Sequence, residues 1–112
     1  MKKFLVLYKA SAADFERAMK GTAEEAQAGM DAWNVWGKKA AASIVDMGAP
    51  LGKTLLVTAK GASPSRNDLG GYSIMQGESK EAVAETLKGH PHFMMGDSAA
   101  IEVIDLVDLP GV

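Results

Sequence analysis

The two histidines of this sequence lie in one short segment, Gly89-His90-Pro91-His92-Phe93. An imidazole can take up and return a proton near neutral pH, so acid–base chemistry would be easiest here. The proline between the two rings restricts the backbone and could hold the rings in a defined relation. A carboxylate bonded to the second ring nitrogen of His90 would fix its tautomer, and Asp31 or Asp97 could supply it. This segment is therefore the first candidate for a catalytic site.

Two other interpretations of the segment stay open. His90 could end the preceding helix, where it would meet the last carbonyl groups and the negative end of the helix dipole, while His92 points to solvent. The His-x-His spacing could also bind a metal ion, but the proline disfavours the regular strand that would place both rings on one face. The sequence has no further histidine and no cysteine to complete such a site. We therefore predict no metal site.

A second group of side chains could line an apolar pocket. Trp33 and Trp36 lie three residues apart, so they share one face of a predicted helix. The hydroxyl group of Tyr72, together with His90 and Arg66, would supply the polar points of such a pocket. The predicted ligand-binding residues are Trp33, Trp36, Arg66, Tyr72, His92 and Phe93. The alternative is that the aromatic residues form only core and dimer contacts.

The composition is that of an ordinary globular protein, and we expect one domain over residues 1–112. Hydrophobic residues make up 47% of the sequence and charged residues 23%, which is typical of a chain that buries a single core. The formal net charge of −2 provides no basic surface, so binding to nucleic acid or to an acidic membrane is not expected. The apolar run that starts after Lys3 stops at Lys9, which is too short for a signal peptide, and we expect a cytoplasmic protein. Dinucleotide and Gly-x-Ser-x-Gly motifs do not occur, and no cofactor is predicted.

Hydrophobic periodicity and capping residues predict an alternation of strands and helices. The apolar run over 3–9 is typical of a buried strand, and capping boxes at Ser11 and Thr22 start two helices. Apolar residues recur at spacings of four and three from Ala26, so the second helix is predicted to continue to about Asp46. The remaining predictions are strands over 54–60, 70–77 and 99–107, a helix from Ser79 to Gly89, and a mobile polar loop over 61–68.

This order predicts an α+β fold of the ferredoxin-like βαββαβ type, with a four-stranded antiparallel sheet. Two helices cover only one face of such a sheet. Three of the predicted strands carry apolar residues on both faces, so the second face also needs a cover. We therefore predict a homodimer whose subunits stack sheet to sheet.

Several short motifs of this sequence together resemble the YCII-related (YciI-like) proteins, over nearly the whole chain. The segments that carry the resemblance are Lys3-Phe4-Leu5-Val6-Leu7-Tyr8, the helix with Trp33 and Trp36, Met47-Gly48-Ala49-Pro50-Leu51, Gly70-Gly71-Tyr72-Ser73-Ile74, Ser79-Lys80-Glu81-Ala82, His90-Pro91 and Ile101-Glu102-Val103. The resemblance implies a dimeric α/β barrel in the cytoplasm. It also implies a histidine early in the long helix and an aspartate before the proline that follows the last helix. Here Asp31 and His90 stand near those positions, so the resemblance suggests this pair with the two roles exchanged.

Two classes of function follow from these observations. One is a cofactor-free enzyme that acts on a small aromatic, carbonyl or carboxylate compound, with proton transfer through His90 and Asp31. In that case Tyr72 or Arg66 would stabilise the developing negative charge. The other is a non-catalytic dimer that binds a small ligand or another protein. The sequence leaves both classes open.

Overall fold

The computed structural model describes residues 1–110 of the chain, and its elements alternate between strands and helices. The strands are β1 (Lys2–Lys9), β2 (Ile44–Pro50), β3 (Thr54–Thr58), β4 (Gly61–Ser65), β5 (Leu69–Gly77) and β6 (Ala100–Asp105). The α-helices are α1 (Ala12–Met19), α2 (Ala23–Lys39) and α3 (Lys80–Thr86), and short 3-10 helices span Ala41–Ser43 and Pro91–Met95.

The main sheet contains four strands in the order β2-β5-β1-β6, and all neighbouring strands are antiparallel. Alternate residues of β1, namely Phe4, Val6 and Tyr8, are buried on one face. They form a core with Trp36 of α2, Val83 of α3 and other apolar side chains. The helices therefore cover this face, and the ferredoxin-like α+β fold predicted from the sequence is confirmed.

The helix starts follow from short-range hydrogen bonds that the sequence predicts. Ser11 accepts a hydrogen bond from the backbone of Asp14, and Ser79 accepts one from the backbone of Ala82. Thr22 and Glu25 form a complete capping box at the start of α2. These side chains satisfy amide groups that have no partner inside the helix, which fixes where each helix begins.

The predicted end of the long helix and the predicted second strand are wrong. Helix α2 ends at Lys39, and the strand that pairs with β5 in the main sheet is β2, not residues 54–60. Ile44 would face the core either as the last turn of a helix or as the first residue of a strand, so the apolar spacing could not distinguish the two. Gly48, with a positive φ of 73°, adapts β2 to the sheet at a register shift.

Residues 54–65 form a separate two-stranded hairpin. Strand β3 pairs with β4 from Thr54↔Ser65 to Thr58↔Gly61, and the described strands outside the hairpin do not pair with it. The predicted loop over 61–68 is therefore wrong for 61–65, which are the second strand of this hairpin. The signal was missed because Ser63 and Pro64 are typical of loops.

Candidate functional site

A cleft of about 380 Å³ opens between the main sheet, α2 and the segment that contains the histidines. Its floor includes the rings of Tyr8, Trp33, Tyr72 and His92. The other lining residues are Phe15, Met30, Asn34, Met47, Gly48, Ala49, Pro50, Gly70, Gly71 and Met95. A Cβ atom at position 70 would overlap the ring of Phe15, so a larger residue there would require that ring to move.

The lining of this cleft contains no aspartate, glutamate, lysine or arginine side chain among residues 1–110. A charged ligand would lose its water shell here without gaining an opposite charge. The aromatic faces and methionines instead provide apolar and polarisable contacts. The cleft is therefore suited to an uncharged, flat molecule.

Tyr8 is held at the back of the cleft by a chain of hydrogen bonds. The hydroxyl of Ser73 donates to the carbonyl of Met47 at 2.8 Å, so its single hydrogen is used. The Tyr8 hydroxyl lies 2.9 Å from the Ser73 hydroxyl and must therefore be the donor in that pair. Burial raises the pKa of Tyr8, although the hydrogen bond to Ser73 acts in the opposite direction. Tyr8 is thus a neutral, fixed wall of the site.

His90 lies behind the cleft, with 1% of its surface exposed. Its ring stacks on Tyr8 at 5.1 Å between ring centres and meets Trp33 and Trp36 edge to face at 4.4 and 4.3 Å. The Nδ1 atom accepts a hydrogen bond from the backbone N–H of His92 at 2.9 Å. The neutral ring therefore carries its hydrogen on Nε2, which has no hydrogen-bond partner within the described chain.

The surroundings of His90 keep its ring neutral. Burial, with a smaller contribution from the nearby His92, lowers the pKa of His90 to about 4. The Nδ1 atom already accepts a hydrogen bond, and the Nε2–H group of the ring is enclosed among aromatic side chains. The side chain caps the 3-10 helix Pro91–Met95 instead of ending α3, which corrects the helix-end interpretation.

His92 is also buried, with 4% of its surface exposed, so the interpretation that it points to solvent is wrong. Its Nε2 atom lies 2.8 Å from the carbonyl oxygen of Lys9. A carbonyl only accepts hydrogen bonds, so Nε2 carries the hydrogen and Nδ1 is the free acceptor of the neutral ring.

The Nδ1 atom of His92 has no hydrogen-bond partner within residues 1–110. The only fully enclosed side-chain nitrogen or oxygen without a partner in residues 1–110 is His90 Nε2. Since His92 Nδ1 has no protein partner there either, it is not fully enclosed. The ring borders the cleft described above and a second cleft of about 570 Å³ between α1, α2 and the histidine segment.

Polar side chains of helix α1 hold the end of the histidine segment in place. The carboxylate of Asp14 accepts hydrogen bonds from Arg17 and from the hydroxyl and backbone N–H of Ser98. Arg17 also donates to the carbonyl of Met95 at 3.1 Å. Hydrogen bonds from Ser98 and Arg17 lower the pKa of the Asp14 carboxyl group. This network attaches the segment after His92 to the start of α1.

The structure brings some of the predicted site residues together and separates others. Trp33, Tyr72 and His92 line the cleft, whereas Arg66, Phe93 and Asp31 do not. Trp36 lies in the core, where its indole N–H donates to the carbonyl of Thr86 at 3.2 Å. Trp36 does not fall on the apolar repeat that starts at Ala26, so the sequence did not predict its burial in the core.

The predicted pair of Asp31 and His90 does not form. Asp31 is exposed on α2 and accepts a hydrogen bond from Gln27 at 2.9 Å. Neither nitrogen of His90 contacts a carboxylate in the described chain. The hydrogen bond on which the predicted proton transfer depended is therefore absent from residues 1–110.

Sequence reasoning missed Tyr8, Phe15 and Asn34 as lining residues. The alternation of Phe4, Val6 and Tyr8 in β1 was a usable signal, because it places Tyr8 on the face that the helices cover. Phe15 and Asn34 had no such signal, since their positions depend on how α1 and α2 pack.

No group of three or more histidine, cysteine, aspartate or glutamate side chains is placed to hold a metal ion within residues 1–110. No helix in the same range is long and apolar enough to span a membrane.

The comparisons with known proteins support the fold and leave the family open. No family model matches the chain, and no curated protein matches it. A solved structure of similar fold is 5-chloro-2-hydroxyhydroquinone dehydrochlorinase from Burkholderia phenoliruptrix AC1100, in complex with 2,5-dihydroxybenzoquinone. The two chains are 21% identical, the match covers 89% of this chain and 90% of that one, and the TM-score is 0.50. This likeness shows that the two chains share a fold; a dimeric α/β barrel and membership in the YCII-related family stay predictions.

Proposed function

We propose that this chain binds a small, uncharged, planar molecule, namely an aromatic ring that carries hydroxyl groups. The observation that supports this most is the cleft of about 380 Å³, whose aromatic lining has no charged side chain in the described range. Ligand sites in proteins commonly have such volumes, with mostly apolar walls and a few polar groups that orient the ligand. A single ring with its substituents fits this space.

The polar group that would orient the ring is His92. Its Nε2–H is held by the carbonyl of Lys9, and its Nδ1 atom is free to accept a hydrogen bond from a ligand hydroxyl. The same lone pair could receive the hydroxyl proton, which would leave the ligand as an oxyanion and His92 as an imidazolium. We therefore propose His92, and not His90, as the base if the chain is an enzyme.

The alternative ligand class, a carboxylate, has weaker support. The predicted cation Arg66 is exposed and lies outside the cleft. A carboxylate in the cleft would be desolvated without a salt bridge, so its affinity should be lower than that of an uncharged ring of equal size. The dehydrochlorinase of similar fold has a hydroxylated benzene ring in the name of its substrate, which makes hydroquinone a suitable first probe.

The test uses the two tryptophans as internal reporters in an NMR titration with hydroquinone under reducing conditions. Trp33 lines the cleft, while the indole N–H of Trp36 is tied to Thr86 in the core. We expect the Trp33 indole signal to shift on binding, with little change at Trp36. Benzoate, a matched carboxylate, should bind at least about tenfold more weakly, because its charge gains no partner. If millimolar hydroquinone leaves the Trp33 signal in place, the proposed function is wrong.

We also propose that the chain forms a homodimer through the uncovered face of its main sheet. Leu5 lies between Ile74 on β5 and Ile104 on β6, so these three apolar side chains form a row on the face opposite the helices. Leu5 and Ile74 are half-buried and Ile104 is exposed, and apolar rows that stay open to water mark interfaces. Sedimentation equilibrium at micromolar concentration should give twice the mass of 11.8 kDa, and a stable monomer would contradict the proposal.

A further inference from the structure

The β3–β4 hairpin pairs with no other strand of the described chain, and a side-chain hydrogen bond from Asn67 to Thr54 at 3.1 Å holds its base. Its strands pair only with each other, and residues 55–64 are all exposed. An isolated two-stranded hairpin is at best marginally stable in water. A hairpin of this kind therefore needs another surface to hold it.

One face of the hairpin is apolar and the other is mostly polar. Leu55 pairs with Pro64 and Val57 with Ala62, which places these four side chains on one face. The opposite face carries Leu56, which pairs with Ser63 and lies among threonine and serine side chains. Leu55 and Val57 are 62% and 71% exposed. The uncovered apolar face is the side on which a partner would bind.

The charges indicate what kind of partner fits. The segment from Lys53 to Arg66 carries three cations and no carboxylate. The rest of the sequence carries nine cations and fourteen carboxylates, a formal charge of −5. The hairpin of one copy is therefore attracted by the body of another copy, since opposite charges complement each other across an interface.

The surface area indicates that the partner covers a large part of the chain. The structure exposes 8032 Å², whereas a monomeric protein of this mass exposes about 5,900 Å². The excess of about 2,100 Å² exceeds the ~800 Å² that each partner buries in a standard interface. The molecule is also only 20 Å thick across extents of 50 and 45 Å. Such a flat shape is typical of one half of an assembly.

From these observations we propose that the hairpin is an intersubunit arm, whose apolar face packs on a second copy of this chain. This proposal rests on the homodimer proposed above and adds a specific part of the interface to it. The arm leaves the sheet after Pro50 and returns before Gly70, and both residues line the cleft. Docking of the arm on the partner would therefore also fix the rim of the cleft.

The first test compares substitutions on the two faces of the same hairpin. The double variant Leu55→Ser/Val57→Ser removes the apolar face, and Leu56→Ser is the matched control on the other face. Sedimentation equilibrium should show a dimer dissociation constant at least about 100-fold higher for the double variant, because two apolar contacts are lost in each copy. The control should stay within about fivefold of the unaltered protein. Circular dichroism of all three proteins checks that they fold.

The outcomes separate this proposal from the homodimer itself. If the unaltered protein is a dimer and the two variants dissociate equally, the dimer stands and the arm is wrong. If the unaltered protein is a monomer at tens of micromolar, both the dimer and the arm are wrong. Retained binding of hydroquinone would show in either case that the proposed ligand site is independent of them.

A second measurement does not require weakening the dimer. The sequence has no cysteine, so Val57→Cys introduces a single thiol on the apolar face, and Lys60→Cys places one in the turn as a control. In the dimer, the thiol at position 57 should react with a maleimide at least about tenfold more slowly than the control, since burial blocks access. Dilution to the monomer should abolish this difference. Equal reaction rates at concentrations where the dimer forms would contradict the arm.

Discussion

His90 and His92 are two residues apart, yet the fold gives them different chemistry. His90 uses Nδ1 to cap the following turn and is enclosed by Tyr8 and two indole rings. His92 donates from Nε2 to Lys9 and keeps Nδ1 accessible. The first ring therefore organises the segment, and the second borders the cleft with an unpaired nitrogen.

His92 should determine the ionisation of a bound phenol. The probe is 4-nitrocatechol, whose absorbance reports the loss of its hydroxyl proton. With the probe saturating, we expect its ionisation constant to fall about tenfold in His92→Asn, because the acceptor for the proton is lost. The control Phe93→Leu changes an adjacent residue that does not line the cleft. Equal absorbance in the unaltered protein and in His92→Asn would rule out the proposed role.

His90 should make the fold sensitive to mild acid. The unfolded chain binds a proton at this imidazole below about pH 6.5, whereas burial lowers the pKa in the folded chain to about 4. Between these values the unfolded state binds more protons, so the free energy of unfolding falls as pH falls. The loss approaches about 3 kcal/mol near pH 4 and is absent above about pH 6.5.

The check for this pH dependence is urea denaturation at pH 7 and pH 4.5, at one protein concentration. The variant His90→Asn has no group that titrates at this position, although its amide can still cap the turn. The unaltered protein should lose about 2 kcal/mol more than the variant between the two pH values. Identical losses would show that His90 does not carry the acid sensitivity.

At the scale of elements, β2 and the histidine segment both border the cleft, but different kinds of contact hold them in place. β2 approaches β5 closely at Gly48, where a Cβ atom would overlap the carbonyl oxygen of Tyr72. The histidine segment is instead attached through the side chains of Asp14, Arg17 and Ser98. The position of β2 therefore depends on having a glycine at position 48, whereas the position of the histidine segment depends on polar contacts to α1.

The close approach at Gly48 can be tested against a glycine with nearly the same backbone. Gly48 and Gly89 have φ angles of 73° and 71°, but a Cβ atom at Gly89 meets nothing within 4 Å. Both alanine variants should carry left-handed strain of about 1–2 kcal/mol. Gly48→Ala should lose at least ~2 kcal/mol more, because β2 must also move away from β5. Chemical denaturation measures both values, and similar losses would contradict the close approach.

At the scale of the whole molecule, the described chain leaves two apolar surfaces uncovered. One is the face of the main sheet opposite the helices, with Leu5 at its centre, and the other is the apolar face of the hairpin. Both surfaces are consistent with the large exposed area of 8032 Å² for this mass. The expectations of a cytoplasmic location and of a chain without nucleic-acid partners stay predictions.

Dimer formation should make thermal stability depend on concentration. If the folded chain associates and the unfolded chain does not, mass action raises the Tm as protein is added. We expect the Tm of the unaltered protein to rise by several degrees between about 1 and 100 μM, since this concentration range corresponds to ~2.7 kcal/mol of association free energy. Leu55→Ser/Val57→Ser should show a smaller rise over the same range. A Tm that is constant for the unaltered protein would contradict the homodimer.

The fold class could be predicted from the sequence because it depends on local signals. The alternation in β1 identified a strand with a buried face, and the caps at Ser11, Thr22 and Ser79 depend on partners three residues away. These interactions do not require the rest of the chain to be in place. They are sufficient for the order of helices and strands, except where Ile44 suited a helix and a strand equally well.

The geometry of the candidate site and the β3–β4 hairpin were decided by the tertiary structure. Burial of His92, separation of Asp31 from His90 and removal of Trp36 into the core depend on which surfaces meet, and periodicity reports only that a residue faces inward. Pairing of β3 with β4 likewise joins a strand to a segment with the composition of a loop. The sequence alone therefore determined the type of fold and the segment that carries the histidines. Long-range packing and hydrogen bonding decided which histidine borders the cleft, because those contacts join residues far apart in the chain.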